Sequence, residues 1–91
     1  MMRSETVKIP PQVMSRQVGE EMVILDLITG TYYGLDLVGA RMWQLMEKGE
    51  SLSSICDTFI EEFDVTPQVL QQDLDILVRN LVDKGLISLS S

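Results

Sequence analysis

The stretch Ile24-Leu-Asp-Leu-Ile-Thr-Gly-Thr-Tyr-Tyr-Gly-Leu-Asp-Leu-Val-Gly-Ala-Arg-Met-Trp43 decides the fold of this chain. Two segments rich in apolar residues flank Gly30, and a glycine readily adopts the left-handed backbone that a hairpin turn needs. Asp36 then stands where a helix N-cap is expected. The order predicts a strand, a turn, a second strand and a helix. The second strand, residues 31–35, is predicted to form the open edge of a small sheet, where another chain can add a strand.

The length of the turn sets which side chains of this hairpin face the core. A three-residue turn at residues 28–30 places five side chains on one buried face: Val23, Leu25, Leu27, Tyr33 and Leu35. Ile24 and Tyr32 then share the opposite face. A two-residue turn, Thr29-Gly30, shifts the pairing by one residue and swaps the tyrosines between faces. We prefer the three-residue turn because it makes the buried face more uniformly apolar.

Strands precede helices along the whole chain. The predicted elements are strands at residues 6–9, 22–27 and 31–35, an irregular segment at 12–18, helices at 37–48, 52–63 and 67–84, and an extended tail at 86–89. Ser51 and Thr66 are suitable N-caps, while Gly49 and Gly85 suit helix ends. Two or three strands followed by three helices indicate an α+β fold. The helices also resemble those of a winged helix-turn-helix.

The composition predicts one small cytoplasmic domain over residues 1–91, with residues 1–5 and 90–91 frayed. Hydrophobic residues make up 45% of the chain, but no apolar run is long enough for a membrane helix or a signal peptide. A single cysteine, Cys56, and the absence of histidine argue against an enzyme, a metal site or a cofactor. Fourteen acidic and seven basic residues give a net charge of −7, which disfavours nucleic acid and anionic membranes as partners.

The third predicted helix is apolar around more than half of its circumference. Its core stripe comprises Leu70, Leu74, Leu77 and Leu81, and further apolar residues lie on two flanks: Val69 and Ile76 on one, Val78 and Val82 on the other. Either both flanks pack in the core or one flank lines a groove. Polar residues interleave with the Val69 and Ile76 flank, namely Asp73, Asn80 and Lys84. This mixture is typical of a ligand groove and favours that flank.

Two parts of the sequence resemble the PqqD-like family. The first is the segment from Leu25 to Trp43, and the second is a distal pattern of Ile55, Phe63-Asp-Val65, Asp73, Leu77 and Leu81-Val-Asp-Lys-Gly-Leu86. The resemblance implies a three-stranded antiparallel sheet packed on three helices. It also implies a non-catalytic recognition element for ribosomally made, post-translationally modified peptides, which binds the leader of a precursor peptide.

In this family the leader adds as a strand beside the third strand, against the third helix. The strand positions that the resemblance implies here are Thr31, Tyr32, Tyr33, Gly34 and Leu35. On the helix, our choice of the Val69 and Ile76 flank adds Val69, Gln72, Asp73, Ile76, Leu77 and Asn80. The segment Thr29-Gly-Thr-Tyr-Tyr-Gly-Leu-Asp36 is most similar to the split leader-binding proteins of lasso-peptide biosynthesis. Such proteins work beside a separate cysteine protease that removes the leader, and a cyclase is a further possible partner.

Two alternatives remain. A stand-alone domain of this size also resembles the peptide chaperone of the pyrroloquinoline-quinone pathway. A winged-helix DNA-binding regulator would use the third helix for recognition, but that helix carries Asp73, Asp75 and Asp83 against only Arg79 and Lys84. This charge balance opposes entry into a DNA groove.

Overall fold

The computed structural model describes residues 5–90 of the chain. The elements in chain order are β1 (Thr6–Lys8), β2 (Val13–Val18), β3 (Glu21–Asp26), β4 (Tyr32–Leu35), α1 (Leu37–Glu47), α2 (Leu52–Glu62), α3 (Pro67–Asp83) and β5 (Ser88–Ser90). Strands β2, β3 and β4 form a three-stranded antiparallel sheet in that order, and β1 pairs with β5. The α+β prediction, a three-stranded antiparallel sheet followed by three helices, is confirmed.

The strand β2 corrects the prediction of an irregular segment at residues 12–18. It pairs with β3 along its whole length, from Val13 opposite Asp26 to Val18 opposite Glu21. Only Val13 of this strand is buried, so its sequence lacks the apolar alternation that marks a half-buried strand. The predicted first strand is β1, which lies outside the main sheet and pairs with the tail β5. Ser90, predicted to be frayed, lies opposite Thr6 in that pair.

The hairpin between β3 and β4 has a four-residue loop, so the preferred register was wrong. Asp26 pairs with Thr31 through a 2.8 Å backbone bond, and Ile24 lies opposite Tyr33. The cause is the side chain of Asp26, which accepts hydrogen bonds from the backbone N–H groups of Ile28 at 2.8 Å and Thr29 at 3.0 Å. Ile24 therefore faces the core with Tyr33, whereas Val23, Leu25 and Leu27 are exposed. The alternative two-residue turn at Thr29-Gly30, which we had not preferred, also places Ile24 and Tyr33 on the same face of the sheet.

The Asp26 carboxylate is held in its charged form by the loop that it organises. The backbone N–H of Thr29 is the main cause that lowers the pKa of Asp26 below its ordinary value of 3.8, against the opposing effect of burial. The N–H of Ile28 and the amide of Gln12 lower that pKa further. Gly30 closes the loop with a φ of 77°, as predicted for a residue in the left-handed region.

The helices begin and end at the predicted signals. Asp36, Ser51 and Thr66 each accept a hydrogen bond from the backbone N–H three residues later, at 2.9, 3.1 and 3.4 Å. These bonds satisfy donors that the first turn of a helix leaves free. Large side chains fill the space between the inner face of the sheet and the helices, and those that are fully buried include Ile24, Trp43, Leu45, Phe59, Leu74 and Leu81. Burial of each side chain of this kind stabilises the fold by roughly 1.5–3 kcal/mol.

Candidate functional site

Strand β4 lies at the edge of the three-stranded sheet, and its open side is the first component of the site. In an antiparallel pair, residues that exchange hydrogen bonds alternate with residues that do not. Because the N–H of Asp26 donates to the carbonyl of Thr31, Tyr33 and Leu35 direct their backbone groups toward β3. The backbone N–H and C=O groups of Tyr32 and Gly34 consequently point away from the sheet. The open edge thus offers two donors and two acceptors to an added strand.

Helix α3 runs beside this edge and is tied to it by Tyr33. The side-chain amide of Asn80 donates a hydrogen bond of 3.2 Å to the Tyr33 hydroxyl. The ammonium group of Lys84 lies 5.9 Å from the centre of the Tyr33 ring, within the range of a cation–π interaction. These two contacts connect the C-terminal end of α3 to the side chain of Tyr33 on β4.

A groove of about 390 Å³ lies between β4, the start of α1 and α3. Its lining residues are Tyr33, Gly34, Leu35, Asp36, Val38, Gly39, Met42, Asp73, Ile76, Leu77 and Asn80. Buried apolar side chains form its floor, including Leu35, Met42 and Leu77. Two exposed apolar side chains stand on its walls: Ile76 is 57% exposed on α3 and Val38 is 38% exposed on α1. A groove with an apolar lining and a few polar groups suits a peptide segment.

The groove brings together the greater part of the residues expected at the site. Those that line it are Tyr33, Gly34, Leu35, Asp73, Ile76, Leu77 and Asn80. Thr31, Tyr32, Val69 and Gln72 do not line it. The side chain of Tyr32 is 70% exposed, on the face of the sheet opposite the core, although its backbone belongs to the open edge. Val69 and Gln72 lie on exposed positions of α3, closer to its N-terminus than Asp73.

Helix α1 and its N-cap residue supply four lining residues that sequence reasoning missed, namely the cap Asp36 and the helical residues Val38, Gly39 and Met42. Val38 and Met42 are four residues apart, so they share a helix face, and this spacing was the available signal. Gly39 permits α1 to sit close to the end of β4, because a Cβ at this position would stand 3.2 Å from Cδ2 of Leu35 and 3.4 Å from Oδ1 of Asp36. The N-terminus of α1 is thereby brought into the wall of the groove.

The outer face of the sheet carries a second set of exposed apolar residues. Met14 lies opposite Leu25 and Leu25 opposite Tyr32, so these side chains form a row across the three strands, which we call the outer row. The loop residues Leu27 and Ile28 are also exposed. The outer row is on the opposite side of the sheet from the helices.

Within residues 5–90, no group of three or more Cys, Asp and Glu side chains is placed to hold a metal ion. Among the helices of that same range, none combines the length and the apolar character that crossing a bilayer requires.

The groove belongs to a fold that is known with a peptide bound. The structure of "TbiB1 in Complex with the TbiA(beta) Leader Peptide" is 40% identical to this chain, with a TM-score of 0.83, and the likeness covers 89% of this chain and 94% of that one. A "Lasso peptide synthetase B1 complexed with the leader peptide" shares the fold with a TM-score of 0.80 at 24% identity, over 90% of this chain and 96% of that one. No curated protein matches the chain.

The sequence also matches a protein family over most of its length. The family is described as "Coenzyme PQQ synthesis protein D (PqqD)", and the match covers residues 21–87 of the 91 residues. These residues run from the start of β3 to the residue before β5, so they include every residue that lines the groove. The resemblance inferred from the sequence is confirmed. This chain belongs to the PqqD family.

Proposed function

We propose that this protein is a non-catalytic module that binds the leader segment of a ribosomally made precursor peptide. The observation that carries the proposal is the open edge of β4, where the backbone groups of Tyr32 and Gly34 point away from the sheet beside a groove walled by α3. The 40% identity to a protein solved with a leader peptide supports it.

The leader binds in an extended conformation and adds a fourth strand to the sheet. Hydrogen bonds to Tyr32 and Gly34 set its register, and each contributes about 0.5–1.5 kcal/mol net. Side chains alternate between the two faces of a strand. Those that face the helices enter the groove, where they contact Ile76 and Val38, and those between them lie on the side of the outer row. Main-chain pairing thus provides affinity, and the groove provides sequence preference.

We place this activity in lasso-peptide biosynthesis, where the module presents the leader to a separate cysteine protease, with the cyclase as a second partner. The segment from Thr29 to Asp36, which is most similar to the split leader-binding proteins of lasso-peptide biosynthesis, favours this pathway over the pyrroloquinoline-quinone chaperone. A DNA-binding role has no support from the fold, because Asp73, Ile76 and Asn80 of α3 line a groove against β4.

The binding of a leader is tested by titrating this chain into the fluorescein-labelled TbiA(beta) leader peptide and following fluorescence anisotropy. Where the gene neighbourhood of this chain encodes a precursor peptide, a second titration uses the leader of that peptide. The control peptides have the same compositions in scrambled order. Saturable binding of either leader, with no binding of its scrambled control, supports the proposal. If neither leader binds saturably, the proposal is wrong.

Delivery to an enzyme is tested by adding the purified cysteine protease of the same gene neighbourhood. We expect leader removal from the precursor to be slow with the protease alone and to accelerate when this chain is added. Cleavage that does not depend on this chain would contradict delivery and leave leader binding intact.

A further inference from the structure

The groove carries charge of one sign. Its charged lining residues are Asp36 and Asp73, and both are exposed. They stand on different walls of the groove. Asp36 joins β4 to α1 on one wall, and Asp73 lies on α3 on the other. A peptide that lies in the groove therefore passes between two carboxylates.

In the part of the chain that the structure describes, neither Arg79 on α3 nor Lys84 at its C-cap forms an ion pair with these carboxylates. Arg79 lines a separate depression on the side of α3 that carries Val82, and Lys84 stands over the ring of Tyr33. Within residues 5–90, Asp73 takes part in no ion pair. One carboxylate oxygen of Asp36 accepts a hydrogen bond from the N–H of Gly39 at 2.9 Å, and the other oxygen remains for a ligand. The negative charge of the groove is thus available to a bound peptide.

The apolar neighbours of the two carboxylates define the shape of the complementary group. Val38 lies two residues after Asp36, and Ile76 lies three residues after Asp73 on the same helix flank. Both apolar side chains are exposed on the groove walls. A long aliphatic stem that ends in a cation matches this arrangement, because lysine and arginine bury their methylene groups on apolar surface and keep their charged ends solvated.

We propose that the groove selects leader peptides that place one lysine or arginine between Asp36 and Asp73, and that it rejects an acidic residue at the same position. This inference rests on the proposed leader binding and adds the charge of one leader side chain to it. Rejection follows because a leader carboxylate would face two like charges in a partly enclosed site. The net charge of −7 favours cationic peptides in general, whereas the groove favours a cation at one position.

The test is a charge scan of the TbiA(beta) leader peptide. Each position is replaced in turn by lysine and by glutamate, and the Kd of every peptide is measured by anisotropy. We expect one position in the pairing segment where lysine binds more tightly than glutamate by at least about fivefold, the scale of one partly solvated ion pair plus a like-charge repulsion. Other positions should show the smaller, uniform preference that the net charge produces.

Matched variants assign that position to the groove. Asp73→Asn and Asp36→Asn each remove one charge, and asparagine at position 36 still caps α1. Asp57→Asn removes the same charge from an exposed position of α2 outside the groove. The lysine preference should fall toward the uniform level in the first two variants and persist in Asp57→Asn. The Asp73→Lys variant should bind the peptide with glutamate at that position more tightly than the parent protein does, because the charges on both partners have then been reversed.

Two results would overturn the inference while leaving leader binding intact. One is a scan in which no position departs from the uniform charge preference. The other is a preferred position that responds equally to Asp73→Asn and Asp57→Asn. Failure of the parent leader to bind at all would instead reject the proposed function, so the two failures are distinguishable.

Discussion

Replacement of Gly34 by proline tests strand addition without dismantling the sheet. Gly34 lies opposite Val23 in a pair that exchanges no hydrogen bonds, so its N–H is not used by β3. Proline lacks this N–H but is tolerated in edge strands. Gly34 is also not among the glycines with positive φ, a region of the backbone map that proline cannot adopt. We expect Gly34→Pro to fold and to bind the leader weakly.

The size of the effect follows from the hydrogen bond that is lost. Deleting the donor removes a bond worth about 0.5–1.5 kcal/mol and leaves a leader carbonyl unsatisfied beside the proline ring, so we expect a loss of about 2 kcal/mol. That corresponds to an increase in Kd of roughly thirtyfold. Gly34→Ala is the matched control because it keeps the N–H. A Cβ at this position meets no atom within 4 Å, so we expect the Kd of Gly34→Ala to stay within about twofold of the parent value.

The assay is the anisotropy titration with labelled leader, combined with urea unfolding followed by circular dichroism for each variant. The unfolding curves establish that both variants are folded under the binding conditions. The reasoning is refuted if folded Gly34→Pro binds the leader as tightly as Gly34→Ala. In that case the leader does not pair with the outward groups of β4.

Three further predictions concern the groove wall, the tie between β4 and α3, and the hairpin loop. Ile76→Glu should raise the Kd for the leader by about tenfold or more, because it puts a charge where apolar surface meets the peptide. Val82→Glu, on the other flank of α3, is the control and should leave that Kd unchanged. Equal losses of affinity in the two variants would show that the groove is misplaced. Tyr33→Phe removes the hydroxyl that accepts from Asn80, and urea unfolding should show a loss of about 0.5–1.5 kcal/mol; an unchanged unfolding free energy would mean that this contact does not hold α3. The pKa of Asp26 is lowered in the folded state, so its contribution to stability is present above the ordinary value of 3.8 and is lost as the pH falls toward the folded pKa. Wild type should therefore lose more unfolding free energy than Asp26→Asn between neutral pH and pH values below 3.8, and parallel losses would contradict the role of the charged carboxylate.

The local elements were predictable because their signals are short in range. A capping side chain reaches the N–H three residues ahead, so Asp36, Ser51 and Thr66 mark the helix starts in the sequence itself. Gly30 likewise marks its turn, because the left-handed backbone is costly for other residues. The mixed polar and apolar flank of α3 favoured the side of that helix on which Asp73 and Ile76 line the groove.

Strand β2 and the hairpin register needed the tertiary structure. The sheet leaves the greater part of β2 exposed, so its residues carry no alternating apolar pattern to recognise. The register depends on a single residue of loop length, and the apolar content of β3 is nearly the same on both faces, with Ile24 on one and Leu25 on the other. The hydrogen bonds that the Asp26 carboxylate accepts in the loop favour the observed register over the other.

The sequence by itself determined the order of β3, β4 and the three helices, the position of the β4 strand and the family. The tertiary structure decided that β2 is the opposite edge of the sheet, that the outward backbone groups of β4 belong to Tyr32 and Gly34, and that α1 contributes a wall to the groove. The physical reason is that caps and turns are contacts between near neighbours in the chain. An edge, a register and a groove depend on which distant segments pack together, and here Tyr33 meets Asn80, 47 residues later in the chain.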